Sequence, residues 1–482
     1  MSNAFDGLKP EVLWRSFEAI TKTPRPSKHE EKIIAFMLDW AKEHGFEAKQ
    51  DPIKNLVIKV PGTKGMESKP ALVLQGHLDM VCEKNQDVTF DFMNEGLNVY
   101  RDGDWLKARG TTLGADNGIG LAMAMALAID PEAVHPPLEL LFTVDEETGL
   151  TGAFNLGSDL LTGKLLINID SEEEGVIFVG CAGGGDTETT FPFAMAPIPA
   201  DYEVALCQVR GLIGGHSGLT IAENRGNALK LMATWLHEIV KTDELRIASF
   251  TGGDKHNAIP READLVVAGP KGTIKKLEAQ AEVTMAGFKQ EYGKIEKDAK
   301  LTVTPATADK AISAAESKRL LHLILALPHG VEAMSRDMPG LVESSTNLAR
   351  ILWGEGEAQI LNSSRSSVAN GVARQREIIH SVAELAGATV YQKPGYPGWQ
   401  PNMESKLLAK TLKAYKDLTG KDAHATAIHA GLECGIIGEK YPGMDMISLG
   451  PTMHDVHSPV ERLHIGSTER VYAFLKALAA TL

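Results

Sequence analysis

The sequence predicts an α/β fold in which a mainly parallel sheet is interrupted by an inserted α+β domain built from two similar halves. Three observations predict it. Leu138 to Gly149, LELLFTVDEETG, opens with a short run rich in Leu, Phe and Val, as in a strand buried on both faces between helices. Such runs alternate with helical spacing through residues 11–170, the pattern of a parallel sheet. After Gly180 the texture changes, and residues 201–293 and 298–392 each read as strand, helix, strands, helix.

Taken in order, residues 11–22 and 29–44 carry apolar positions at helical spacing, with Pro24 and Pro26 breaking the run between them. Ser27 to Glu31 has the form of a capping box, with Ser27 as N-cap and Glu30 three residues later. NLVIKV (55–60) predicts a strand, and PALVLQG (70–76) the next, ending in His77-Leu78-Asp79. A helix follows GADNG (114–118) through a run of Ala, Met and Leu; the strand over 138–145 comes next, then KLLINID (164–170). CAGGG and FPFAMAPIPA mark a boundary. Gly183 to Gly185 read as a hinge, since the Lys-Ser/Thr of a phosphate loop does not follow. In the insert, YEVALCQVRG, the helix after Gly226 and KKLEAQAEVTMAGFKQEY form one half. LTVTPA opens the other, followed by a helix ISAAESKRLLHLILAL, a strand near VESSTNLARILW and a helix VANGVARQREIIHSVAELAG. Residues 393–482 return to mixed strand and helix, with MISLGP as a buried strand completing the first sheet. The expected domains are therefore 1–190 and 393–482, which together form one unit, and 191–392 inserted between them.

A chain of 482 residues exceeds one compact core, which agrees with two domains. Hydrophobic content of 43% and charged content of 23% are ordinary for a globular protein. A net charge of -14 argues against nucleic acid or an anionic membrane as partner. Cys82, Cys181, Cys207 and Cys434 are scattered with no CxxC pair, as reduced thiols would be, and form no disulfide framework or structural zinc motif. The N-terminus lacks a basic, then apolar, leader, and the apolar stretch Gly118 to Ile129 is too short to span a bilayer. Cytoplasmic residence is the expectation.

A parallel sheet presents its ligands at the carboxyl ends of its strands. Asp145, Glu146 and Glu147 would stand together at such an end and repel one another unless something positive lies between them. His77, Asp79, Asp116, Asp170 and the segment His457 to Glu461 also fall at predicted element ends. Each has an ordinary explanation alone: a chance HxD, an Asp as helix N-cap, a solvated terminal His. Jointly they deliver imidazoles and carboxylates to one edge. That mixture suits zinc, manganese or cobalt. It also suffices for two ions sharing one carboxylate, a geometry that stabilises attacking and departing oxygens together.

HLDM, GADNG, DEETG, INIDSEEEG and GPTMHDVHSP resemble, in order and spacing, the dizinc exopeptidases that include aminoacylase, peptidase T and carnosinase. GLIGGHSG, HNAIP and IHAGLECG resemble the members that act on Xaa-His dipeptides. The resemblance implies a dizinc exopeptidase catalytic domain and makes the insert a lid. It implies that Asp116 bridges two divalent ions, zinc with cobalt or manganese as alternatives, with His77 and Asp170 on one and Glu147 and His457 on the other. Asp79 would fix the tautomer of His77, and Glu146 would be the general base. Adjacent residues on an extended segment point opposite ways, so only one of Glu146 and Glu147 ligates easily; the resemblance, not periodicity, carries the choice. His454 rivals His457, which is preferred for the Ser-Pro-Val-Glu after it. His216 would stabilise the oxyanion. Relatives with a single lid unit borrow that histidine from a dimer partner, whereas a doubled lid lets it act within its own chain. Asn257 and Arg365 are candidates for the substrate backbone and terminal carboxylate, which the planar fork of arginine suits. Glu433 is the candidate for a free amino group. The implied activity is hydrolysis of Xaa-His dipeptides, including β-alanyl-histidine, with an N-acyl amino acid amidohydrolase as the alternative. A catalytically silent metal-binding or scaffold protein is the third class, disfavoured because base, ligands and lid histidine are all present. The implied partners are a small dipeptide and, as an open alternative, a second copy of the chain.

Overall fold

The protein is described by a computed structural model covering residues 4–482. It divides into two compact units. Among the described residues, one comprises 4–181, 399–427 and 432–482; the other comprises 182–398 and the short return 428–431.

The first unit is built on an eight-stranded sheet. Leu72–His77 and Leu138–Thr143 are buried along their whole length, which is why they read as unbroken apolar runs without alternation. They pair in parallel with each other, Leu72–His77 pairs in parallel with Leu165–Asn168, and that strand pairs in parallel with Asp445–Ser448. The late segment thus completes the sheet as expected. Antiparallel strands flank this core: Leu56–Val60 and Glu47–Gln50 on one side, Val176–Cys181 on the other. The helix Ala115–Ile129 is buried on nearly every face, as its Ala, Met and Leu content requires.

The capping box is not formed. Glu30 itself precedes the helix Glu31–Glu43 without capping it; its carboxylate accepts from the Lys28 N–H (2.8 Å) and the Asp145 N–H (3.0 Å). Ser27 Oγ donates instead to Asp79 Oδ2 (2.8 Å). Buried backbone N–H groups far along the chain compete for these acceptors, and local spacing carries no record of them.

The second unit holds a nine-stranded sheet, antiparallel in every pairing described. Its two halves meet through Gly252 opposite Ile351. Helices Ala228–Val240 and Thr273–Tyr292 fall in the first half of the inserted sequence, Ala314–Ala326 and Ala369–Leu385 in the second. One assignment changes. The LTVTPA strand, Lys300–Pro305, pairs with Tyr202–Arg210 of the first half, while Gly183–Pro192 joins Glu357–Ser366 in the second. The expected boundary at 190/191 falls inside that strand. Gly183 to Gly185 are accordingly strand residues, not a free hinge. A Cβ at Gly183 would lie 2.3 Å from Gly398 N, and one at Gly185 2.7 Å from an Arg376 nitrogen. Glycine there allows close approach of a neighbouring segment. Trp235, Phe250 and Phe191 are fully buried in this unit's core. Among the described residues, no helix is long and apolar enough to cross a membrane.

Candidate active site

The carboxyl ends of the parallel strands carry the expected residues. His77 ends its strand with Nε2 3.0 Å from Asp116 Oδ1 and 3.5 Å from Asp170 Oδ1, and with Nδ1 3.3 Å from Asp79 Oδ1. The other oxygen of Asp116 lies 3.0 Å from His457 Nε2, which is 3.1 Å from Glu147 Oε2. One carboxylate therefore faces two imidazoles, one on each oxygen. Ligand atoms of His77, Asp116 and Asp170 lie within 4.8 Å of one another; so do those of Asp116, Glu147 and His457, and those of His77, Glu146 and Glu147.

The segment carrying the acids departs from the extended conformation assumed for it. The strand stops at Thr143, and Asp145 adopts a left-handed φ of 48°. The N–H groups of Glu146 and Glu147 then both donate to Asp79, at 3.0 Å on Oδ1 and 3.2 Å on Oδ2. Both glutamates converge on His77 rather than pointing apart. Asp145 stays in the turn, accepting from Thr148 Oγ1 (2.7 Å). Asp79 thus shapes the turn as well as contacting His77. His454 lies apart from the cluster, its ring 5.3 Å from that of Trp105, so His457 is the histidine that reaches Asp116.

Electrostatics shows what this arrangement lacks on its own. Burial, reinforced by Glu433, Glu147 and Asp116, pushes the Glu146 carboxyl up to about 8 against the pull of His77. Burial likewise raises Asp170 well above the usual carboxylate range. Hydrogen bonds to Asp116 and Glu147 push His457 up to about 11. His77 is raised too: burial opposes its charge, but Asp170, Asp116 and Asp79 outweigh it. Glu147 Oε1 and Asp170 Oδ1 are buried without any hydrogen bond. Acceptors that lack donors, beside the His77 imidazole whose Nδ1 faces Asp79, fit divalent cations.

Glu433 is enclosed by strand residues. Its Oε2 accepts from Gln75 Nε2 (2.6 Å) and Thr143 Oγ1 (2.7 Å), while Oε1 is buried without a hydrogen bond. The side chain is only 1% exposed, and burial raises it to about 7. Three consecutive core strands enclose it, because Gln75 in turn accepts from Asn168 Nδ2 (2.5 Å). Glu433 is thus held within the wall of the site, with Oε1 left as an acceptor without a donor.

In the second unit, Gly215–His216 pairs with Ala258–Ile259, and the Asn257 carbonyl accepts from the Ser217 N–H (2.8 Å), joining GGHSG to HNAIP. His216 Nδ1 accepts from the N–H groups of Gly218 (3.2 Å) and Leu219 (3.0 Å). Its proton therefore sits on Nε2, and burial, with the charges of Arg365 and His256, lowers its pKa to about 4. Arg365, 6% exposed, donates through Nη1 to the Tyr396 hydroxyl (3.0 Å) and leaves Nε buried without a partner. Three further residues join this cluster that the sequence reading did not select. Ser345 Oγ lies 2.7 Å from His429 Nε2, and Tyr396 steadies Arg365. His429 sits inside IHAGLECG, a motif quoted only for resemblance, whereas nothing around Tyr396 announces its role.

Burial lowers His429 to about 3 and His329 to about 4. An unfolded histidine titrates near 6.5. Below that value the unfolded chain binds more protons than the native one, so this contribution to stability is complete above about pH 6.5 and declines on acidification. Urea midpoints should fall between about pH 7.5 and about pH 5.5, and fall less in His429→Gln. Equal losses in the two proteins would exclude His429 as a source.

The sequence profile of Peptidase family M20/M25/M40 matches residues 73–481. A protein of Escherichia coli (strain K12) named cytosol non-specific dipeptidase is 40% identical over 472 residues, covering 98% of this chain and 97% of that protein. The crystal structure of aminoacylhistidine dipeptidase from Vibrio alginolyticus superposes with a TM-score of 0.93 at 41% identity, covering 100% of this chain and 98% of that one. Aminopeptidase PepT from Bacillus cereus ATCC 10987 aligns with a TM-score of 0.56 at 15% identity over 98% of each chain, a likeness of fold alone. With a profile match that spans most of the sequence and a near-superimposable relative, the chain belongs to peptidase family M20/M25/M40 and is a peptidase with that family's mixed α/β fold.

Proposed function

We propose that this peptidase is a two-metal dipeptidase that cleaves Xaa-His dipeptides, β-alanyl-histidine among them, in the cytoplasm. The observation that carries the metal chemistry is Asp116, with one oxygen toward His77 and the other toward His457. The Xaa-His preference rests on the name of the Vibrio alginolyticus relative. His77, Asp170, Asp116, Glu147 and His457 would hold the two ions, zinc as the first choice and cobalt or manganese as alternatives. When bound, such ions lower the pKa of a water and polarise a scissile carbonyl.

The chain supplies the rest. His77 Nδ1 faces Asp79 Oδ1 at 3.3 Å, which turns Nε2 toward the site as the nitrogen that would coordinate. Glu146 takes a proton from the water that attacks the peptide carbon. As the C–N bond breaks, Glu146 delivers that proton to the leaving amine. His216 holds an Nε2–H that we assign to the developing oxyanion, since its Nδ1 is occupied by backbone donors. Arg365 and Asn257 are assigned to the terminal carboxylate and backbone of the dipeptide.

A panel of Xaa-His dipeptides, other dipeptides and their N-acetylated forms tests the reading on zinc-loaded protein. Free Xaa-His peptides should be cleaved fastest. Preferred cleavage of the acetylated forms would make the enzyme an N-acyl amino acid amidohydrolase instead. In the same assay His216→Ala should lower kcat by about 10²–10³-fold, and Arg365→Lys should raise KM. Wild-type constants in either variant would remove that residue's assignment.

A further inference from the structure

Two buried charges outside the ligand set grip the loop that presents Asp116. Glu461 is 2% exposed, and its carboxylate accepts from the N–H groups of Leu113 (2.7 Å), Gly114 (3.0 Å) and Ala115 (2.8 Å). Arg25, also 2% exposed, holds carbonyls: Leu78 O at 3.0 Å, Asp79 O and Gly114 O. The peptide units on both sides of Gly114 are thus fixed, through N–H groups by an anion and through the Gly114 carbonyl by a cation.

These contacts join three segments distant in sequence. Arg25 ties the backbone just after His77 to the loop just before Asp116. Glu461 ties that loop to the turn carrying His457, four residues earlier in the chain. The glycines of GADNG make room for the grip. Gly114 is left-handed with φ 62°, and a Cβ on either Gly114 or Gly118 would come within 2.7 Å of Arg25 Nη2.

We infer that Glu461 and Arg25 are positioning residues that hold Asp116 with one oxygen toward each histidine, and that metal affinity depends on them. The inference rests on the two-ion reading above. Neither group reaches a ligand-type side chain through its own hydrogen bonds, so both act through the backbone they fix. A Gln at 461 keeps one acceptor oxygen but turns an NH₂ group toward N–H donors. A Lys at 25 keeps the charge but loses the planar fork that serves several carbonyls.

Glu139 provides an internal control. It is 3% exposed and binds the Thr162 and Gly163 N–H groups at 2.9 and 3.0 Å, at the opposite end of the strand leading to Glu146. Full-length protein is stripped with a chelator and titrated with cobalt(II), following the visible absorption spectrum, with circular dichroism and thermal unfolding on the same samples. Glu461→Gln and Arg25→Lys should each weaken cobalt binding by roughly tenfold or more and alter the spectrum. Glu139→Gln should lose comparable thermal stability yet titrate as wild type. The inference is overturned if Glu461→Gln and Arg25→Lys titrate as wild type, or if Glu139→Gln weakens binding as much. Should Glu461→Gln not fold, Arg25→Lys decides alone. Asp116→Asn separates the two levels: wild-type titration by that variant sinks the two-ion reading itself.

Discussion

Glu146→Gln is expected to lower kcat by about 10²–10⁴-fold while the protein keeps its metal. Gln has the shape of Glu and leaves the backbone N–H bonded to Asp79 Oδ1 undisturbed, so the turn should survive. What it loses is the ability to hold a proton between the attack and departure steps. The native carboxyl sits where burial and three neighbouring acids favour its protonated form, pushing it up to about 8. Added cations would lower that value toward neutrality, the range in which a general base works best. The adjacent Glu147→Gln should behave differently, because Glu147 Oε2 meets His457 and its Oε1 is a buried acceptor without a donor. Metal content and turnover measured on the same preparations distinguish the two. Full turnover in Glu146→Gln would end its assignment as base, and lost metal would make it a ligand.

Asp116→Asn should remove both ions, and with them essentially all activity. Its two oxygens are divided between His77 and His457, so an amide, with one oxygen and one NH₂, cannot serve both sides. The loss should also appear as stability. An ion at about a hundred times its Kd stabilises the native state by about 2.7 kcal/mol per site. Urea unfolding of wild type with metal and with chelator should show that gap, and Asp116→Asn should show none. Retention of a full complement of metal by the variant would refute the bridging role.

Much of the fold was legible because its signals are local. Leu72–His77 and Leu138–Thr143 are buried on both faces, and an apolar run records that directly. The same holds for the helix after GADNG, whose uniform Ala, Met and Leu content matches its burial. Pairing partners were less legible. Lys300–Pro305 was read with the residues that follow it, yet it bonds to Tyr202–Arg210, and its expected place goes to Gly183–Pro192. Strand pairing at such separations depends on which edges are left open, which no local pattern encodes.

The candidate site divides in the same way. Residue type and placement at element ends gathered His77, Asp79, Asp116, Glu146, Glu147, Asp170 and His457, and the family resemblance singled out five of them as expected ligands. Ser27 and Glu30 show the opposite case: a capping pattern in sequence became two acceptor and donor contacts to Asp79 and Asp145. Arg25 and Tyr396 carried no signal, and Glu461 was noted only as the end of the His457 motif, since the role of a buried charge or hydroxyl is defined by distant backbone and side-chain partners.

The sequence by itself determined the sheet, the doubled insert, the peptidase family and the set of ligand-type residues, since each follows from local burial, residue chemistry or order along the chain. Tertiary structure alone decided how Asp116 divides its oxygens, that Glu146 and Glu147 turn to the same side, and that Glu433 is enclosed. Those outcomes depend on where side-chain and backbone donors from remote segments find their acceptors. Asp79, for example, gathers two N–H groups from the 146–147 turn, and that gathering, rather than alternation along a strand, sets the direction of both glutamates.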